Sequence, residues 1–176
     1  GLTSLTIGNS VTTIGSYAFY NCSGLTGALT IPDSVTSIEQ GAFYDCAFDG
    51  TLTLPNNPNF TTIERAAFAY CSSLVGNLVI PDSVTSIGPS AFYDCNQLSG
   101  SLTIPDSVTL IDVGAFLNCS SITSINILAT TAPQIGSGAF DGMTSVSPAE
   151  IHVPVGATGY YATYGFPNVL TVVYDL

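Results

Sequence analysis

The sequence has almost no positive charge. It contains no lysine, one arginine (Arg65) and one histidine (His152), against twelve Asp and Glu, for a formal net charge of −11. A chain with nothing to neutralise phosphates is not expected to bind nucleic acid, and an anionic membrane surface would repel it. Charge of either sign is scarce, at 7% of residues, far below the usual quarter. No apolar run approaches the roughly 18 residues of a spanning helix, so membrane insertion is not expected. The five cysteines are an odd set with no C-x₂-C pair, the arrangement from which zinc sites are built. His152 has no Ser or Asp partner at a recognisable triad spacing, and no phosphate-binding loop is present. The expectation is therefore no catalytic residue, no metal and no cofactor.

What is present is a repeat. Ala-Phe recurs with its Phe at Phe19, Phe43, Phe68, Phe92, Phe116 and Phe140, in steps of 24, 25, 24, 24 and 24 residues. Three residues after each Phe stand Cys22, Cys46, Cys71, Cys95, Cys119 and finally Met143. Five residues before each Phe stand Ile14, Ile38, Ile63, Ile87, Ile111 and Ile135. Val11, Val35, Phe60, Val84 and Val108 precede the first five of these Ile by three residues. Each unit opens on a triplet such as Leu29-Thr30-Ile31 or Leu102-Thr103-Ile104, and four triplets are followed by Pro32, Pro55, Pro81 or Pro105. Self-similarity at a fixed period is the signature of a stacked repeat.

One unit reads as follows. The triplet alternates apolar, polar, apolar, the period of a strand with one buried face. Pro ends the strand because it offers no N–H to a ladder, and Asp-Ser makes a turn. Val-Thr-Ser-Ile is a second short extended piece pointing Val and Ile inward. Ala-Phe-x-x-Cys is expected to form one short helical or 3₁₀ turn. No unit buries its apolar side alone, and stacking creates a continuous core. Gly1-Leu2-Thr3 reads like Gly24-Leu25-Thr26, so the chain is expected to begin inside a repeat of a longer array.

The pattern Leu-x-Ile-Pro-x-Ser-Val-x-x-Ile-x-x-x-Ala-Phe-x-x-Cys, met closely over Leu29–Cys46 and Leu78–Cys95, resembles the BspA-like leucine-rich repeats. The resemblance covers roughly residues 2–146. It implies a right-handed solenoid with a parallel β-sheet on one face and short strands and helical turns on the other. Residues 1–146 would form six repeats and 147–176 a C-terminal cap, in which Ile151 to Gly156, Tyr160, Tyr161, Tyr164 and an apolar strand from Leu170 to Tyr174 look like a common ending of such arrays. The family is one of bacterial or parasite cell-surface and secreted proteins, several associated with adhesion. Two departures stand out. Asn56-Asn57-Pro58-Asn59 replaces Asp-Ser and adds a residue, and the sixth unit has Leu128 for Pro and Met143 for Cys. Both are places where the stack is expected to bulge.

Candidate sites follow from the periodicity. The triplets put one outward residue per unit on the sheet face: Thr6, Thr30, Thr53, Val79, Thr103 and Asn126, with His152 in the terminal segment. Such a small, uncharged, mildly apolar surface suits another protein's backbone or a glycan, and equally suits plain exposed strand positions. Tyr20, Tyr44 and Tyr93 follow their Phe and form a second candidate patch. A file of Thr12, Thr36, Thr61, Thr85 and Thr109 has the regularity of ice-binding β-solenoids and also that of any repeated strand. Asp33, Asp82 and Asp106 share a turn position, where turn hydrogen bonding explains them without Ca²⁺. The Cys file is read as buried apolar packing.

Two functions fit these residues. One is an extracellular or cell-surface binding module that engages a host or microbial surface protein or glycan without catalysis. The other is a structural spacer that self-associates through an open N-terminal end.

Overall fold

A computed structural model describes residues 1–144, 150–160 and 171–176; Tyr161, Tyr164 and Leu170 lie outside the described residues. The chain winds as a parallel β-solenoid of six coils, one per repeat, and each coil has two strand sides and one turn corner.

The first strand side is built from the triplets. Its strands are β2 (Leu29–Thr30), β4 (Leu52–Thr53), β7 (Gly100–Ile104), β9 (Ile122–Ile127), β11 (Glu150–Val153) and β12 (Thr171–Tyr174). The second side carries the Thr/Ser-Ile pairs: β1 (Thr13–Ile14), β3 (Ser37–Ile38), β5 (Thr62–Ile63), β6 (Ser86–Ile87), β8 (Leu110–Ile111) and β10 (Gln134–Ile135). Every pairing is parallel, and equivalent residues of successive coils stand opposite one another, as Ile87 does Ile63 and Ile111.

The predicted inward residues form the core. From the second coil onward the repeated Val, Ile, Ala, Phe and Cys are buried, whereas Val11, Phe19 and Cys22 of the first coil are only partly covered. The six Phe rings stack with centroids 5.2–5.8 Å apart and planes within 6° of parallel. Phe48, outside the repeat pattern, packs edge-on against Phe43 at 6.3 Å.

The turn corner differs from the expected helical turn. In the fourth coil, Ala91, Tyr93 and Cys95 donate N–H to Gly88, Ser90 and Phe92 of their own turns, at 3.2, 3.1 and 3.2 Å. The alternate amides of Ser90, Phe92 and Asp94 donate to Val113, Ala115 and Leu117 of the next coil, at 2.9, 2.8 and 2.8 Å. A helix would turn every N–H onto its own axis and leave none for the neighbouring coil. The geometry is reached by left-handed backbone two residues before and two after each Phe, at Ser90 (φ 55) and Asp94 (φ 60) in this coil. The same three-bond pattern joins Tyr17, Phe19 and Asn21 to the second coil and Gly114, Phe116 and Asn118 to the sixth.

Side chains add stitches between coils. The turn serines donate Oγ–H to the Val or Phe carbonyl of the preceding coil: Ser34 to Val11, Ser83 to Phe60 and Ser107 to Val84, at 2.7–2.8 Å. The thiols of Cys46, Cys71, Cys95 and Cys119 donate to the Phe carbonyl of the preceding coil, at 3.0–3.2 Å. All five cysteines are free.

Both strand sides are interrupted at the third coil. On the second side β1–β3 is one sheet and β5–β6–β8–β10 another. On the triplet side β2–β4 stands apart from the β7–β9–β11–β12 sheet, to which Val79 is joined by a bridge to Thr103. The extra residue is accommodated by folding the Asn tract onto the second coil. Asn56 donates its N–H to an Asp33 carboxylate oxygen at 2.8 Å, and the Asn57 amide donates to the Asp33 carbonyl at 2.6 Å. The sixth coil departs as well: Ala132 donates to Thr158 at 2.9 Å, and Thr158 donates to Thr130 at 2.9 Å, so the segment that replaces Pro-Asp-Ser bonds toward the C-terminal side.

Candidate functional site

The triplet side displays one outward residue per coil, and the strands bring them into register. Thr30 stands opposite Thr53, Val79 opposite Thr103, Thr103 opposite Asn126, and Asn126 opposite His152. The alternation that buries Leu29, Leu52, Leu102 and Ile125 turns these neighbours outward. Leu5-Thr6-Ile7 forms no strand, and from Thr30 onward the row is continuous except between Thr53 and Val79, where no strand pairing crosses. An open cleft of about 550 Å³ lies there, with Thr51, Thr53, Asn56, Asn77, Val79 and Asp82 among its lining residues.

The row divides chemically. At its C-terminal end the polar groups bond within the chain. The Asn126 amide donates to Ser101 Oγ at 3.0 Å. His152 Nδ1 lies 2.9 Å from both Asp175 carboxylate oxygens, and its Nε2 is 3.9 Å from Glu150. Thr30, Thr53 and Thr103 spend no hydroxyl within the chain among the described residues, and Val79 is 66% exposed, an apolar side chain where its equivalents are polar. The other threonine file is different: Thr36, Thr85 and Thr109 donate their hydroxyls to the Thr carbonyl of the preceding coil at 3.2 Å.

The tyrosine patch is larger than the sequence suggested. Tyr20 stacks on Tyr44 at 5.1 Å, Tyr44 meets Tyr70 at 5.1 Å, and Tyr70 meets Tyr93 edge-on at 4.9 Å. Tyr17 closes the row against Tyr20 at 5.9 Å. Tyr17 and Tyr70 were missed because they sit off the expected register. Ala69 holds the place after Phe68, and Tyr70 reaches the ridge from a left-handed backbone (φ 60). Tyr17 lies over Gly41, where an added Cβ would come within 2.5 Å of its ring. The hydrogen bond with Tyr70 pushes the Tyr93 hydroxyl pKa up. Of these ring contacts only Tyr20–Tyr44 is a face-to-face stack, at 15° between planes.

The cysteines are structural. Burial pushes the Cys95 thiol well above its ordinary pKa and that of Cys119 up to about 12, which keeps both neutral and able to donate to a carbonyl. Among the described residues no group of three or more His, Cys, Asp or Glu is placed to hold a metal ion, and no helix is long and apolar enough to cross a membrane.

A parallel solenoid with an inward Leu/Ile/Phe ladder and one outward residue per strand is the architecture of a leucine-rich-repeat protein. The model of the BspA-type leucine-rich repeat region matches residues 1–76 and 73–174 with its six-copy pattern, and the chain belongs to that family. No curated protein matches it. Among solved structures it is similar to a leucine-rich repeat protein of Bacteroides ovatus, with 24% identity and a TM-score of 0.62 over 92% of this chain and 43% of that one. It is also similar to a leucine-rich cell surface protein of Faecalibacterium prausnitzii, with 26% identity and a TM-score of 0.60 over 94% of this chain and 35% of that one. A third likeness is to the T. pallidum leucine-rich repeat protein, with 27% identity and a TM-score of 0.59 over 90% and 73%. The chain thus spans less than half the length of the first two.

Proposed function

We propose that this chain is an extracellular, cell-surface repeat domain of adhesin type, which engages a surface protein or glycan of a host or another microbe and performs no catalysis. Family membership supports a repeat domain for protein binding, and the similar F. prausnitzii protein is a leucine-rich cell surface protein. The observation that carries the reading is the triplet side. It sets Thr30, Thr53, Val79 and Thr103 outward, and among the described residues the three threonine hydroxyls have no partner within the chain, while Thr36, Thr85 and Thr109 of the other file spend theirs on stitching. The tyrosine ridge is a second contact surface of the same domain.

A host-matrix and glycan binding array with the purified chain, run with and without Ca²⁺, tests this. Saturable binding that falls in Thr53→Arg or Thr103→Arg, with folding intact, is the expected result. A clean negative in both buffers would reject it and favour the alternative, a spacer that associates end to end. That alternative draws on the partly exposed Leu5, Ile7, Val11 and Phe19. Light scattering that stays monomeric over a wide concentration range removes it.

A further inference from the structure

We infer that the cleft between the third and fourth coils is a binding site for a neutral sugar residue. This inference rests on the sheet side being the binding surface and names where on it, and for what chemistry, the contact is made. The cleft exists because the extra residue of the third coil is not absorbed evenly. Asn56 and Asn57 are drawn onto Asp33 of the second coil, and the triplet ladder opens between Thr53 and Val79. Its volume of about 550 Å³ falls within the range of small-ligand pockets.

The lining gives the ligand class. Thr51 and Thr53 supply hydroxyls, Asn56 and Asn77 carboxamides, and Asp82 a carboxylate. Among the described residues none of these five side chains makes a hydrogen bond within the chain, although those of Asn57 and Asp33 beside them do. Hydroxyls and amides each donate and accept, and a carboxylate accepts twice. That is the complement of adjacent sugar hydroxyls, each of which donates one bond and accepts others. The exposed Val79 side chain beside them meets the C–H face of a ring. No cationic side chain lines the cleft, and the net charge of −11 repels an acidic ligand, so an acidic sugar or phosphate is excluded. The other large opening, about 660 Å³ between the fifth and sixth coils, is lined in part by Thr109, whose hydroxyl is already spent on Thr85.

Saturation-transfer NMR of the whole chain with galactose, mannose, N-acetylglucosamine and lactose, and with sialic acid as the anionic comparison, tests this directly. Transfer to at least one neutral sugar and none to sialic acid is expected. Affinity should fall about tenfold or more in Thr53→Arg and in Asn77→Leu, since each removes or blocks a polar group that a sugar hydroxyl needs. It should stay within about twofold in Thr12→Arg, an exposed position on the other strand side and away from the cleft. Thermal melts establish that each variant is folded, and Asn77→Leu carries the test if Thr53→Arg is not. Absence of transfer to any neutral sugar, or equal loss in Thr12→Arg, overturns the inference. If the array then still finds a protein ligand, only the cleft reading falls; if the array is also negative, the proposed function falls with it.

Discussion

The turn corner and the triplet side of this solenoid meet the same irregularity and respond differently. Across the 25-residue step the corner is unchanged. Phe43 and Phe68 stack at 5.5 Å, and Gly41, Phe43 and Asp45 donate to Arg65, Ala67 and Ala69 at 3.0, 2.8 and 2.8 Å. The strand sides break there: β3 does not pair with β5, and β4 does not pair with the fourth coil. The corner holds because the step from Phe43 to Phe68 is fixed by three backbone bonds, the Cys71 thiol bond and a buried ring stack at once, whereas a two-residue strand carries little of its own. A stack whose register is set on one corner can open on the opposite side without losing its core. The irregular coil is therefore where a uniform repeat surface gains a distinct site.

Breaking the corner should have the largest effect. Phe92→Ala removes a buried ring stacked on both sides and should lower stability by about 3–5 kcal/mol in urea unfolding; a loss below about 1 kcal/mol would mean that the register is set elsewhere.

Alkali should come next. Burial raises the folded-state pKa of Cys119 from the ordinary 9.0 to about 12. Below pH 9 both folded and unfolded states keep the proton, and the stabilisation is complete. Above it the unfolded chain releases its proton first, so stability falls between pH 9 and about pH 12. The loss should reach about 2 kcal/mol by about pH 10.5. Cys119→Ala should flatten this part of the pH–stability curve, and an unchanged slope would remove the thiol from the account.

The smallest effect sharpens the comparison. Ser90 holds a left-handed backbone (φ 55) where the second, fifth and sixth coils carry Gly41, Gly114 and Gly138. Ser90→Gly should relieve that strain and raise stability by up to about 1 kcal/mol, net of the entropy glycine adds to the unfolded chain. A decrease in melting temperature would show that the Ser90 side chain contributes more than its backbone costs.

Much of this was legible in the sequence. The Phe, Cys, Ile and Val positions announced the core because their spacing survives the extra residue, and the outward triplet residues followed from strand alternation. The helical or 3₁₀ turn expected at the corner is not confirmed, although the signal for what forms there was present. The places two before and two after each Phe include Gly41, Gly114, Gly138, Asn21, Asp45, Asp94 and Asn118, residue types that tolerate a left-handed backbone. The uses of side chains were less accessible. Nothing in Thr85 against Thr53 says that one hydroxyl is bonded to a neighbouring coil and the other is not, because that depends on the local backbone: Thr85, just before β6, reaches the Thr61 carbonyl, while Thr53, within β4, points outward. Tyr70 was hidden by Ala69 taking its place in the period, and the His152–Asp175 contact joins adjacent strands whose residues lie 23 apart. The cleft was visible only as an inserted residue, since which side of a coil opens depends on which side is held.

Amide hydrogen exchange at two equivalent positions tests the central claim most directly. Ile31 and Leu54 end the triplets of the second and third coils, and both side chains are buried. Ile31 donates its N–H to Thr53 at 3.0 Å, while the Leu54 N–H makes no backbone hydrogen bond among the described residues. The Phe43 and Phe68 amides at the corner donate to the next coil at 2.8 and 2.9 Å. The account predicts slow exchange at Ile31, Phe43 and Phe68, and exchange at Leu54 faster by about tenfold or more. Protection at Leu54 equal to that at Ile31 would mean that the ladder is closed and the cleft does not exist.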